Sequence, residues 1–509
     1  MKRSLSCLFL FATTLLAQSG PSPHVAQAGH HLFFHVTVSP KISKPQSGRL
    51  LIFMRKGTGQ KEVRPGFVPG ETWIAAREVD AIAPEAAVDV DGDEIAFPKG
   101  FSQASAGNYQ VQALLDVHHD FNYEREAGDW KSGVATLKAF DPGSASPVEL
   151  TLDSEVPTGA SAALPNGVKA FHFESPSLTT FWGKPTLING YVVLPPGYEG
   201  SKETYPTMYW THGYGGDFAN SVRQATQFRT MMEQKQVPEM MFVLLDESCP
   251  QGTHEFADSV NNGPWGHALT TELIPQLERD YRMDAKVNGR FLNGHSSGGW
   301  ATLWLQVAYP QVFGGTWSTS PDPSDFHSFT GPDIYASHAN VYRKADGSPW
   351  MLVRDKGKDI ASLGEFAQQE AVVGPYGGQM ASFEWVFSPK GASGAPMQLF
   401  DRATGDVNPE VANYWGEHYD IARKVEREWP TTGAQLKGKI HLIVGTADTF
   451  HLDEPARLLE ATLKKLDAGS TFTYLPDKTH FDLYEAGGDR AALMKKIIGE
   501  MYAVARPKG

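Results

Sequence analysis

Two different hydrophobic periods divide this chain of 509 residues. Between about His31 and Asp153, apolar residues come in short runs: His31–Val38, Arg49–Met54, Tyr109–Val117, Val134–Phe140 and Val148–Leu152. Aromatic and β-branched residues fill these runs, and Gly, Pro, Asp and Ser separate them. No helical period intervenes, so the pattern predicts a β-sandwich-like domain over residues 29–153. Residues 154–168, rich in Pro, Gly, Ala and Ser, read as a linker. Beyond it the pattern alternates between strand and helix, which predicts an α/β domain over 169–509, a mostly parallel sheet with helices on both faces. Met240–Leu245 is a continuous apolar run of the kind found in central parallel strands. Leu269, Leu273, Leu277 and Tyr281 fall four apart, on one face of a helix that Pro275 should bend. Leu493, Ile497 and Met501 mark a final helix. Residues 321–437 carry many Gly, Pro, Trp and Tyr in weaker order, and read as an insertion that forms a lid or substrate wall.

The most informative feature inside this frame is Gly294-His295-Ser296-Ser297-Gly298-Gly299. The apolar residues Phe291-Leu292 precede it, and Trp300-Ala301-Thr302-Leu303 follows. Strand, sharp turn, helix is the context of a nucleophile elbow. Of the two serines only Ser296 has glycine at both −2 and +2, so it is the candidate nucleophile. Ser297 then offers its backbone N–H to an oxyanion.

A serine hydroxyl needs a base to take its proton, and the base needs an acid to orient it. The order Ser, acid, His is met by two strand ends. Ile440–Val444 runs into Gly445-Thr446-Ala447-Asp448, and Thr471–Leu475 runs into Pro476-Asp477-Lys478-Thr479-His480. Asp453 and Asp477 are rival acids, and His418, His441 and His451 rival bases, but none sits at a strand end. The expected catalytic set is Ser296, Asp448 and His480. After Thr207–Trp210 comes Thr211-His212-Gly213-Tyr214-Gly215-Gly216. That glycine-rich turn predicts the Tyr214 N–H as the second oxyanion donor beside Ser297. His212 is a further candidate for touching substrate. The loop Glu247–His267 leaves the same sheet edge with His254, Phe256, Asn261, Asn262, Trp265 and His267. It either lines the substrate wall, with Trp265 as a contact, or packs as an ordinary loop.

Composition narrows the partners. The net charge of −13 disfavours nucleic acid and anionic membranes. Lys2 and Arg3 before the apolar run Leu5–Ala17 read as a signal peptide over residues 1–17, too short for a membrane anchor. Its removal leaves Cys249 as the lone cysteine, so stability has to come from core burial rather than disulfides. Asp89-Val90-Asp91-Gly92-Asp93-Glu94 has its glycine too early for a calcium loop. His30, His31 and His35, and His118-His119-Asp120, show no assignable metal spacing. No metal or cofactor is expected.

From about Thr180 to the C-terminus, less the insertion, the chain resembles the esterase D-like family of α/β-hydrolases. The residues that carry the resemblance are His212-Gly213, Gly294–Gly299, Phe313-Gly314-Gly315, Gly445-Thr446-Ala447-Asp448 and Thr479-His480. It implies hydrolysis of an ester or thioester, or acyl transfer, through an acyl-enzyme. The expected substrate is a small-molecule, aryl or carbohydrate-linked ester. The alternatives are an acyltransferase using the same site and a secreted binding or envelope protein with a non-catalytic scaffold.

Overall fold

The computed structural model describes residues 30–507, except 67, 121–127, 157–162, 375 and 377. The expected signal peptide and most of the expected linker lie outside the described residues.

The N-terminal region is built of strands, as its runs predict, but they join into one hydrogen-bonded sheet of nine. Its longest strand, Gln46–Lys56, pairs antiparallel with Thr72–Ile82 on one side and Gly107–Asp116 on the other. The first strand, Phe33–Val38, lies parallel to Val148–Glu155. Thr72–Ile82 escapes the periodicity because its buried residues bunch at the start and leave polar positions after them. In the Asp89–Glu94 stretch the strand Ala87–Asp91 ends and Gly92–Glu94 turns, with Asp93 accepting from the N–H groups of Leu32 and Ser102. His31 and His35 pair separately with Asp91 and Asp89 at 2.7 Å.

Gln46–Lys56 is buried along nearly its whole length, without alternation. Both faces are covered. Leu50, Ile52 and Met54 join Phe34, Val36, Val111 and Leu150 in the core of the β region. Leu51 and Phe53 turn the other way and pack with Val372 and Val373, at the end of the helix Leu363–Val373 of the insertion. Arg49, only 7% exposed, seals this contact. Its Nε and Nη2 donate to the Val372 carbonyl at 3.1 and 2.8 Å, and its Nη1 reaches Glu78 at 2.6 Å. A cation on the last carbonyls of a helix also meets the negative end of its dipole.

The second sheet has eight strands. Val168–Glu174 and Leu187–Val193 lead it as antiparallel neighbours, and Leu187–Val193 pairs antiparallel with Met241–Leu245. Every pairing after that is parallel, through Thr207–Thr211, Arg290–His295, Gly315–Thr319, Ile440–Gly445 and Thr471–Leu475. Helices cover both faces. Phe218–Glu233 and Ala492–Ala505 bury Phe228, Met231, Ile497 and Met501 on one side. The helix expected around Leu269–Tyr281 is a short α-turn, a wider π-turn over Ala268–Leu273 and an α segment Ile274–Asp280. Pro275 sits in the first turn of that last segment, where its missing N–H costs least. None of the described helices is long and apolar enough to cross a membrane.

The insertion is ordered despite its weak periodicity. The helices Leu363–Val373, Gln379–Phe387, Pro409–His418 and Ile421–Leu436 form it with a short hairpin. Phe383, Phe387, Trp415 and Tyr419 close over Trp300 and Trp304 of the helix Ser297–Ala308 in one aromatic core. Its sequence looked irregular because aromatic packing between short elements, rather than a repeated stripe, holds it.

Replacing Arg49 by Met should therefore lower stability by about 1–3 kcal/mol, because it leaves the buried Val372 carbonyl without its charged donor. Glu78→Gln should cost less, since Glu78 is half exposed. Denaturant titration of both variants checks the order.

Candidate active site

The turn after Arg290–His295 places Ser296 at φ 60° and ψ −126°, a left-handed conformation that costs a non-glycine residue about 1–3 kcal/mol. Close backbone approach enforces it. A β-carbon on Gly294 would lie 2.1 Å from the Gly298 carbonyl oxygen, and one on Gly298 would lie 2.2 Å from that of His212. The Ser296 N–H donates to Thr319 O at 3.1 Å, which ties the turn to the next strand. Ser297 then opens the helix Ser297–Ala308.

Asp448 and His480 come from the ends of the last two strands of the sheet, Ile440–Gly445 and Thr471–Leu475. His480 Nδ1 and Asp448 Oδ2 are 3.0 Å apart, and both residues are buried. Asp448 Oδ1 accepts from the Phe450 N–H at 2.9 Å. Burial alone would push Asp448 up; the adjacent His480 and the Phe450 N–H outweigh it and hold the carboxyl below its ordinary range. The His480 ring is packed between His295 at 4.3 Å and Phe450 at 4.8 Å. Among the described residues no hydrogen bond joins Ser296 Oγ to His480. Such contacts are often loose in unliganded enzymes and tighten with substrate. The rival acids have other roles: Asp453 pairs with Arg354 at 2.7 Å, and Asp477 donates its N–H to Thr446 Oγ1 on an exposed turn.

The loop His212–Gly216 runs alongside the elbow. A β-carbon on Gly213 would lie 2.8 Å from His295 O, 3.1 Å from Ser296 Cβ and 3.7 Å from Ser297 N. Gly213, the residue before Tyr214, thus lies against the elbow and the Ser297 N–H.

Two expectations are corrected. His212 is not free to meet substrate. Its Nδ1 bonds Gly213 O at 2.9 Å and its Nε2 bonds Asp246 at 2.9 Å, so it pins the loop from beneath. Burial opposes its positive charge, but the Asp246 bond and the nearby Glu247 raise its pKa. Trp265 also packs inward. Its indole N–H donates to Asn262 O at 2.8 Å and its ring stacks on His254 at 3.6 Å. The loop Glu247–His267 owes its aromatics and amides to internal packing; Asn261 ties it to Ser388 O of the insertion. Burial pushes the Cys249 thiol in that loop up to about 12, so it is not a nucleophile near neutral pH.

The structure adds Asp322, which the sequence reading passed over. Three residues beyond Thr319, it faces both elbow serines: Oδ2 accepts from Ser297 Oγ at 2.6 Å and Oδ1 from Ser296 Oγ at 3.5 Å. The strand-end rule that selected Asp448 applies equally to Gly315–Thr319 and would have found it. Phe481, next to His480, is 69% exposed and lies 6.1 Å from Phe450, so two aromatic rings stand beside the imidazole. Asp325, His327 and Asp420 bring possible metal-ligating atoms within 4.8 Å of one another. These carboxylates already serve the local backbone: Asp325 accepts from His327, and Asp420 accepts from Phe326 N, Tyr335 Oη and Arg423 N.

Comparison with known proteins places this geometry in context. A family described as putative esterase matches residues 185–503. Two curated esterases from two strains of Mycobacterium tuberculosis are each 29% identical over 124 residues, which cover 23% of this chain. That segment spans 25% of the length of each relative. Among solved structures, a ferulic acid esterase aligns with 66% of this chain and 98% of its own, at 12% identity and a TM-score of 0.40. An S-formylglutathione hydrolase from Agrobacterium tumefaciens aligns with 67% of this chain and 95% of its own, at 16% identity and a TM-score of 0.39.

Buried acids under the site make stability depend on pH. Burial raises Glu247 from 4.5 to about 8. A group raised in the folded state stabilises fully below its unfolded value and loses that contribution as pH rises through the folded one. Glu247→Gln should therefore gain at least about 1 kcal/mol relative to the parent between pH 5 and pH 8.5. Burial, with His480 nearby, lowers His295 to about 3, so its contribution is lost instead as pH falls below 6.5. Thermal melts across pH check both signs; a pH-independent difference for Glu247→Gln would refute the first.

Proposed function

We propose that this chain, a member of the putative esterase family, is an exported serine carboxylesterase working through an acyl-enzyme on Ser296. One observation carries the assignment of roles. The Asp448–His480 hydrogen bond of 3.0 Å stands at the same sheet edge as a strained, glycine-flanked Ser296.

In this reading His480 takes the Ser296 proton as the hydroxyl attacks the ester carbonyl, and later gives it to the leaving alcohol. Asp448 fixes the imidazole tautomer through Nδ1 and stabilises the imidazolium. The N–H groups of Ser297 and Tyr214 stabilise the oxyanion. Water then attacks the acyl-enzyme with His480 again as base. The packing of His480 between His295 and Phe450 supports the role of a positioned base. The exposed Phe481 beside Phe450 favours an aryl or carbohydrate-linked ester, whose ring has a surface to rest on. Transfer to an acceptor alcohol would use the same site, and product analysis with competing alcohols or sugars separates the two outcomes. The apolar run Leu5–Ala17 after Lys2 and Arg3 supports export.

Ser296→Ala should lower turnover of a short-chain p-nitrophenyl ester by at least about a thousandfold, with the thermal melt retained. Asp448→Asn should cost roughly 10³–10⁴-fold in kcat. A fluorophosphonate probe should label the parent protein and not Ser296→Ala; labelling that survives the substitution would reject Ser296 as nucleophile, and a parent that does not label would favour a non-catalytic binding scaffold.

A further inference from the structure

Asp322 is bound to the elbow from three directions. Its N–H donates to Ser296 O at 3.3 Å, and its carboxylate meets Ser297 Oγ at 2.6 Å and Ser296 Oγ at 3.5 Å. Gln379 Nε2, from the insertion, reaches Oδ2 at 3.5 Å. The residue is 4% exposed, and among the described residues no Lys or Arg forms an ion pair with it. A structural carboxylate in this position would be expected to have a cation beside it.

The charges around it make Asp322 distinctive. Asp448 is paired with His480, and Asp246 with His212. Glu247 and Glu255, on the loop after Met241–Leu245, are both fully buried, and burial raises both pKa values, Glu247 to about 8. Burial thus disfavours the charged form of both carboxyls. Burial also pushes Asp322 up, to about 6, with Ser297, His480 and Ser296 working the other way and Asp448 reinforcing the rise. Among the described residues Asp322 lacks the paired opposite charge that Asp448 and Asp246 each have.

We propose that Asp322 is a specificity-determining residue that selects esters carrying a cationic group near the scissile carbonyl and rejects anionic ones. This deepens the hydrolase reading and rests on Ser296 as nucleophile. A negative charge beside the attacking oxygen opposes the oxyanion that forms in the transition state. A substrate cation neutralises that charge as it binds, so the discrimination should appear in kcat/KM. A neutral hydroxylated substrate is accepted with no such gain. At separations of several ångströms under partial burial, one unit charge amounts to a discrimination of roughly tenfold or more.

The test uses the full chain and three chromogenic esters of one alcohol. Their acyl groups match in length and end in trimethylammonium, a neutral methyl or a sulfonate, so the substrate charge stays constant with pH. In the parent enzyme the ammonium-to-sulfonate ratio of kcat/KM should exceed about tenfold above pH 7 and fall toward one below pH 5, as Asp322 takes up a proton. Any pH effect common to all three esters cancels in the ratio. Asp322→Asn keeps an acceptor for Ser297 Oγ and should hold the ratio near one at every pH. A ratio unchanged by Asp322→Asn, or a parent ratio flat across pH 5–7, overturns the proposal. If Asp322→Asn does not fold, the parent profile decides alone. Loss of all turnover in Ser296→Ala with no charge discrimination in the parent refutes this inference only, whereas turnover retained in Ser296→Ala refutes the nucleophile assignment beneath it.

Discussion

The close contact between Gly298 and the end of the strand Thr207–Thr211 is the constraint on which the rest of the site depends. A β-carbon at Gly298 would lie 2.2 Å from His212 O and 2.7 Å from Thr211 O. Because that space is empty, the helix Ser297–Ala308 can begin directly beneath the neighbouring strand end, and Ser296 is forced into its left-handed turn. The same approach sets the loop Gly213–Tyr214 beside the Ser297 N–H. A single steric allowance therefore sets the Ser296 backbone and the approach of the Gly213 loop to it.

The remainder of the molecule holds this edge of the sheet rigid. His212 anchors its loop to Asp246, and Asp448 is tied down by backbone donors as well as by His480. The insertion roofs the elbow helix with Trp415, Phe387 and Tyr419, and sends Gln379 to Asp322. The N-terminal sheet in turn packs on the insertion through Leu51, Phe53 and Arg49. A continuous path of packed groups thus runs from the β region, through the end of Leu363–Val373, to the floor of the site. Glu370 lies on it and accepts from the N–H groups of Gln379 and Met380.

Much of the site was legible because its chemistry is carried by local patterns. Gly294-x-Ser296-x-Gly298 reports a steric requirement that spans five residues. Asp448 and His480 could be found because a parallel sheet delivers residues just past its strands to one edge, and each strand announces itself by an apolar run. The pieces that no local pattern settles depend on contacts distant in sequence. His212 and Trp265 are polar or aromatic residues in catalytic-side loops, and sequence alone does not tell whether such a side chain turns toward substrate or into packing. Asp322 was overlooked among the Pro and Ser residues after Thr319, although it is a strand-end acid.

By itself the sequence determined the alternation of strands and helices, the strained elbow and the order of its catalytic candidates, because each is set by neighbours within a few residues. Tertiary structure decided what no local pattern encodes. It joined the N-terminal strands into one sheet, buried both faces of Gln46–Lys56, and assembled the insertion from aromatic contacts between short helices. It also tied the His212 ring to Asp246 and brought Asp322 to Ser296. The reason is common to all of these: a side chain's direction and the charge it feels are fixed by groups that only folding brings near.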